Sequence, residues 1–424
     1  MRAVPARRLP SILVLLMLPA AAAVAGAQEP PPPAGPVEPA ATPAGEQPAG
    51  DADEDIGNGG ERRGDQAFPT LNVELPEGDL DLRASQLVGR IFFQGQVRYN
   101  FVDGDITAFL RYRVYGHHRT YHVTGFDEVE FGSVERLSDE FERVRGLLFL
   151  TEWPHDYHRR TTFLAEIDRI VSNKDELRFD NEKTNTFVRL GYQIGTPDDT
   201  RSNAIVGETR ARVDRLFTPL RAIGPYGAGL SAALTYGFDF TGGDFEYLKV
   251  EAEALKRFEL PRETALVGRV HGGTFPQKNR RVLPDNGPEE PEELPEALQY
   301  EIPLDELFRL DGRDSLRGLD DTRRGTEELH TTWELFVPWF VDEQRRALGV
   351  DWNRWYWVLY GGYGTAGFDR EIYTDTDSYV TDLGLGFQAS FRLRKYTFFL
   401  SGIVAQTLER DADVEAKLSI KTYH

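Results

Sequence analysis

The feature that most limits this chain is a strict alternation of apolar and polar side chains in segments of roughly a dozen residues. Ile91, Phe93, Val97, Tyr99 and Phe101 share one face with Gly95, while Arg90, Gln94, Gln96, Arg98 and Asn100 share the other. The pattern recurs in Ile106, Ala108, Leu110, Tyr112 and Val114, set against Thr107, Arg111 and Arg113. Thr184, Thr186, Val188, Leu190, Tyr192 and Ile194 alternate with Asn185, Arg189 and Gln193, and Leu248, Val250, Ala252 and Ala254 with Lys249, Glu251 and Glu253. Period two means strand. About 9–11 residues is the length at which a tilted strand crosses a bilayer.

A soluble sandwich also wets one sheet face and buries the other. The start of the chain separates the two cases. Arg2, Arg7 and Arg8 precede an apolar run from Ile12 to Leu18, extended by Ala20 to Val24, and Ala25-Gly26-Ala27 forms a small-x-small cleavage site. Residues 1–27 therefore read as a signal peptide for general secretion. After it, no apolar run is long enough for a membrane helix, yet an exported chain can still cross as a closed barrel. In a barrel the lipid-facing half of each strand is apolar and the lumen-facing half polar, so a mean hydropathy of -0.45 is compatible with the membrane. Aromatic content of 12% and 40 glycines fit interfacial girdles and tight turns.

The fold expected is all-β, a transmembrane antiparallel β-barrel of 16 strands in the bacterial outer membrane, since single-chain barrels there have even strand numbers. Residues 28–66, opening with Pro30-Pro31-Pro32-Pro33, read as a disordered linker rich in Pro, Ala and acid. The barrel is assigned to residues 67–424, with 67–87 transitional apart from a short strand at Leu71–Leu75. Asp103-Gly104 and Gly242-Gly243 are expected turns. Ser133 to Val144 carries Val134, Leu137, Phe141 and Val144 at helical spacing and reads as a loop helix. Further strands are expected near 89–101, 106–114, 117–131, 145–153, 159–171, 183–195, 202–215, 225–239, 245–258 and 262–274. The last five fall near 327–340, 353–367, 380–393, 395–407 and 412–424. Between the two groups lies a long loop, 275–327, too long for a plain hairpin connection.

Composition excludes several classes. Without cysteine there is no disulfide, thiolate metal site or thiol nucleophile. A net charge of -20 argues against nucleic acid, which needs a basic face. No Gly-x-Ser-x-Gly, His-Glu-x-x-His or phosphate-binding glycine loop occurs, so no enzymatic activity is expected. His117, His118 and His122, near Asp105 and Asp127, read as polar filling rather than a catalytic group. His155 and His158 could at most hold a metal weakly, and Glu289 to Glu296 reads as a solvated acidic loop. No cofactor and no metal are expected.

The long loop ends in Phe308-Arg309-Leu310-Asp311-Gly312, then Ser315-Leu316-Arg317-Gly318-Leu319. Glu334-Leu335-Phe336-Val337-Pro338 follows on the next strand, and Asp382-Leu383-Gly384-Leu385-Gly386 lies near the C-terminus. In these stretches the C-terminal third resembles the superfamily of outer-membrane protein assembly and translocation barrels, which is BamA/TamA-like and takes in the bacterial surface antigen family. The resemblance implies a 16-stranded barrel with five strands after the loop. It implies that the loop folds into the lumen, with Leu316, Arg317, Gly318 and Leu319 as a lock. Glu334 and Asp382 are the candidate acid partners of Arg317, and Gly312, Gly384 and Gly386 the turn glycines. The superfamily's next strand has an aromatic-x-Asp-x-Gly motif, but Tyr360-Gly361-Gly362-Tyr363-Gly364 puts Gly362 where that Asp would be. Leu319 replaces the usual aromatic. Residues 28–88 hold no polypeptide-transport-associated domain, so the chain resembles barrel-only members. The implied function is to aid insertion or translocation of protein or lipid, with outer-membrane lipid, an unfolded client and a periplasmic accessory protein as partners. The alternative is a passive channel or structural protein sharing the fold.

Overall fold

The computed structural model describes residues 66–75, 79–100, 106–116, 118–132, 140–156, 159–172, 183–195, 227–239, 242–280, 300–303, 306–310, 315–319, 323–347, 350–393, 396–408 and 414–423. Before the long loop the strands are β1 (Gln66–Leu75), β2 (Asp79–Val88), β3 (Ile91–Asn100), β4 (Ile106–Tyr115), β5 (Thr120–Gly132) and β6 (Glu140–Asp156). β7 (Arg159–Ser172), β8 (Lys183–Ile194), β9 (Ala228–Gly237), β10 (Tyr247–Glu259) and β11 (Ala265–Lys278) follow. Inside the loop, β12 (Phe308–Arg309) and β13 (Arg324–Gly325) form a small ladder. The last five are β14 (Glu327–Ala347), β15 (Val350–Gly367), β16 (Val380–Leu393), β17 (Tyr396–Thr407) and β18 (Val414–Tyr423).

Apart from the β12–β13 pair, these strands form one closed antiparallel barrel of sixteen. Neighbours in sequence are neighbours in the wall, and β11 pairs with β14 across the long loop. Closure joins β1 to β18 over a short register, Asn72–Leu75 against Leu418–Lys421. By contrast, β1 and β2 pair continuously from Gln66 to Glu74.

The alternation decides which face is which. Leu110 is 67% exposed and Ile106 55%, while Gln96 on the neighbouring strand is 2% exposed. Leu190, Leu383 and Leu385 are likewise exposed, and Arg189, Glu253, Glu334 and Asp382 buried. Apolar outside with polar inside is the reverse of a soluble domain, and it is the arrangement that hydrocarbon around the wall requires. At the end of β14–β17 away from the loop, Trp339, Trp352, Trp355, Trp357, Phe387, Phe391 and Phe398 make a connected set of ring contacts. Amphipathic rings favour a membrane–water interface.

The expected strand number holds with a different membership. Residues 79–88 form β2, where a transitional segment is expected through residue 87. Leu80, Leu82 and Ala84 alternate, but Gln86-Leu87-Val88 breaks the pattern. Gly89, taken as the start of a strand, is the turn between β2 and β3, at φ 60. The expected strand at 202–215 lies outside the described residues, and β8 pairs directly with β9, so no wall strand stands between them. The expected helix is also corrected. Residues 133–139 lie outside the described residues, while 140–144 belong to β6. The Asp103-Gly104 turn, residues 1–65 and Glu289 to Glu296 likewise lie outside them, whereas Gly242 turns the chain between β9 and β10 at φ 91.

Part of the lumen wall is apolar. Val144, Leu148 and Leu150 of β6, Leu164 and Ile170 of β7 and Phe187 of β8 pack in one cluster with Tyr300, Ile302, Leu307 and Phe308 of the loop. Where the loop lies against the wall, inward side chains are apolar too. β6 there reads Leu147-Leu148-Phe149-Leu150, an apolar run on both faces within the strand expected at 145–153.

Candidate functional site

From Tyr300 to Leu319 the described residues of the long loop are buried or half-buried inside the barrel and held at two levels. The deeper one is the tip. Leu310, Leu316 and Leu319 cluster with Val380 of β16. Leu316 N–H donates to Leu310 C=O at 3.0 Å, and Leu310 N–H to Arg323 C=O at 2.9 Å. The β12–β13 ladder thus forms a narrow stalk that carries the tip.

Arg317 is buried and reaches two acids in different ways. Its Nη2 donates to Glu334 Oε1 of β14. Its backbone N–H donates to Asp382 Oδ2 of β16 at 2.7 Å, and Gly318 N–H donates to the same oxygen at 3.0 Å. The guanidinium carbon also sits 4.2 Å from the ring centroid of Tyr360 on β15, and Tyr360 Oη donates to Ser315 C=O at 2.6 Å. Three consecutive wall strands therefore grip one loop tetrad. A carboxylate accepting two backbone N–H groups is a charge-assisted anchor, and the planar guanidinium stacks on a ring face while its edge bonds an acid.

Both expected acid partners of Arg317 are engaged. Leu316, Arg317, Gly318 and Leu319 are all buried at the tip. The glycine of the tetrad has a steric reason. A Cβ on Gly318 would lie 2.6–2.8 Å from backbone atoms of Gln406 on β17, so the tip packs flat against the wall only without one. Gly384 and Gly386, taken as turn glycines, lie within β16 and turn nothing. Gly384 instead permits close packing on Ala405 and Ile403 of β17. Gly312 lies outside the described residues.

Gly362 proves to be part of the site. It sits directly opposite Asp382 in the β15–β16 register. A Cβ there would fall 2.2 Å from Asp382 Oδ1, 2.6 Å from Leu316 Cδ2 and 2.7 Å from Tyr360 Oη. The acid that the motif lacks on β15 is supplied one strand over at the same level, and its carboxylate fills the space a β15 side chain would need.

The second level of attachment involves residues outside the expected set. Glu306 of the loop lies 3.4 Å from Lys249 Nζ of β10 and 3.5 Å from Arg189 Nη2 of β8. Lys249 Nζ also donates to the Glu306 C=O at 2.9 Å and lies 4.9 Å from the Phe308 ring centroid. The alternation placed Lys249 and Arg189 on the lumen face, but nothing in the sequence showed which loop acid would meet them. Elsewhere on the wall, His122, expected as polar filling, lies 3.2 Å from Glu152 and accepts from Arg113 Nε at 3.1 Å. His155 contacts Thr161 Oγ1 at 2.7 Å, and His117 and His158 lie outside the described residues. Above the loop entry, Tyr373 Oη bonds Glu327 and the Gly273 carbonyl. Burial and the Glu327 carboxylate push that phenol well above its ordinary pKa.

No family model matches the chain, and no curated protein matches it. Among solved structures the barrel is similar to BamA from Haemophilus ducreyi lacking POTRA domains 1-3, at TM-score 0.58 and 11% identity, covering 86% of this chain and 71% of that one. It is similar also to CdiB from Escherichia coli, at TM-score 0.53 and 11% identity, covering 84% and 63%. CdiB from Acinetobacter baumannii gives TM-score 0.51 at 11% identity, covering 84% and 60%. The chain thus spans less than two thirds of either CdiB. Identities this low speak for the fold alone, which is that of an outer-membrane β-barrel.

Proposed function

We propose that the chain acts at the bacterial outer membrane, after export by its signal peptide, as a non-enzymatic barrel that aids insertion or translocation of protein or lipid. The observation that carries this reading is the loop tip held in the lumen by Arg317, Glu334 and Asp382. Loop residues Tyr300, Ile302, Leu307 and Phe308, packed on the inner wall in one apolar cluster, obstruct free diffusion. Its double attachment is the kind of rigid brace a barrel needs if its wall is to be strained by a client. The short β1–β18 register gives the wall one place where few ladder bonds hold it closed. Outer-membrane lipid and an unfolded client are the partners this reading requires, with a periplasmic accessory protein to deliver the client.

The other reading is a passive channel. The charged inward side chains Arg189, Lys249, Glu251, Glu253 and Arg269 favour it, because an ion path needs a polar lining. One experiment separates the two. The purified chain is placed in liposomes with an unfolded outer-membrane barrel as client, and in planar bilayers for conductance. Faster client insertion with low, unstable conductance supports the assembly reading. A steady open pore with no effect on the client overturns it in favour of the channel.

A further inference from the structure

We propose that His271, Glu328 and His330 form a binding site for a divalent transition-metal ion of the zinc class, set in the lumen wall beneath the inserted loop. The proposal is independent of what the barrel transports.

The pairing of β11 with β14 creates the cluster. His271 and His330 are direct register partners, and both point inward. Glu328, two residues before His330, shares its face. All three are buried, and one ligand atom from each lies within 4.8 Å of the others. The Glu328 carboxylate stands between the rings, 2.7 Å from His330 Nδ1 and 3.2 Å from His271 Nδ1. The ring centroids are 5.1 Å apart. His271 Nδ1 faces the carboxylate without the alignment of a hydrogen bond.

The donor set selects the ion. Bonds of about 2.0–2.2 Å to imidazole nitrogen and carboxylate oxygen suit zinc, and the three ligand atoms lie within 4.8 Å of one another, close enough to share one ion. Calcium and magnesium prefer all-oxygen shells and are disfavoured here. Three protein ligands leave a fourth position for water.

The roof gives the site a consequence. The Phe308 ring lies edge-on to His271, with centroids 6.3 Å apart, and a Cβ on Gly273 would meet it at 2.2 Å. An ion fixing both imidazoles would also fix the floor on which Phe308 rests, and so favour the inserted loop.

The test uses the full-length chain without a histidine tag, folded in detergent micelles and stripped with a chelator. Titration with Zn2+ is expected to give one equivalent per chain, weakened at least about 100-fold by His271→Gln or Glu328→Gln. Co2+ is expected to give the intense visible bands of a four- or five-coordinate site. Replacing His118 and His155 by Gln should leave both results unchanged. The proposal is overturned if wild type binds Zn2+ no more tightly than the His271→Gln variant. It is also overturned if binding disappears with the other two histidines instead. Should the lumen variants fail to fold, wild-type Co2+ decides: a weak, aqueous-like spectrum at saturation refutes the site and leaves only a close-packed His–Glu–His cluster.

Discussion

Asp382 holds Arg317 by its backbone. One carboxylate oxygen accepts the N–H groups of Arg317 and Gly318, leaving the Arg317 guanidinium for Glu334. The two acids therefore do different work. Asp382 fixes where the loop turns, and Glu334 neutralises the charge that the turn brings in.

That division predicts unequal responses. Asp382→Ala removes two charge-assisted hydrogen bonds, expected to cost about 3 kcal/mol or more. The tip should lift from β16, and trypsin should then cut at Arg323 in otherwise intact barrels. Asp382→Asn keeps one oxygen acceptor and should be cut far more slowly.

Breaking the ion pair should look different. Arg317→Met or Glu334→Leu alone strands a buried charge, at a cost of about 3–5 kcal/mol. Replacing both together removes the stranded charge, so the double variant should be more stable than either single one. Urea midpoints read from the heat-modifiable gel band would measure this. A double variant whose loss equals the sum of the singles would mean that the two residues are not coupled.

Gly362 offers a sharper case. Restoring an acid with Gly362→Asp should expel the loop, because its Cβ would collide with Asp382 and Leu316. Adding Asp382→Gly opens that space and moves the acid across the β15–β16 register. The double swap is expected to recover most of the lost stability and protease resistance.

The upstream anchor should govern leakage. Glu306→Gln removes the carboxylate that meets Arg189 and Lys249, but the tip contacts stay in place. Conductance in planar bilayers should become larger and noisier, and the urea midpoint should fall less than in Arg317→Met, because Lys249 keeps Glu251 at 3.8 Å.

How much of this could be read in the sequence depends on where the information lies. Lumen and lipid faces were legible residue by residue, since the side-chain period of two is local. Arg317, Glu334 and Asp382 were legible together only through the family resemblance of the stretches that carry them, with Glu334 and Asp382 on the polar faces of their strands. That Arg317 divides its backbone and side chain between the two acids was not, because it depends on the depth the loop reaches. Glu306 stayed hidden for the same reason. His271 and His330 become neighbours only once β11 is paired in register with β14, across 58 intervening residues, 272 to 329. Of β6, 145–153 was legible as strand, while 140–144 reads as helix because Phe141 and Val144 continue the three- and four-residue spacing of Val134 and Leu137.

The central claim is that the Leu316–Leu319 tip lies inside the barrel against β16. The chain has no cysteine, so a pair introduced by Leu316→Cys and Val380→Cys reports only on that contact. In intact outer membranes the pair should join under mild oxidation or a short thiol crosslinker, shift the unfolded gel band, and resist a bulky maleimide added from outside. No crosslink, together with rapid maleimide labelling of the loop position, would place the tip outside the lumen and contradict the account.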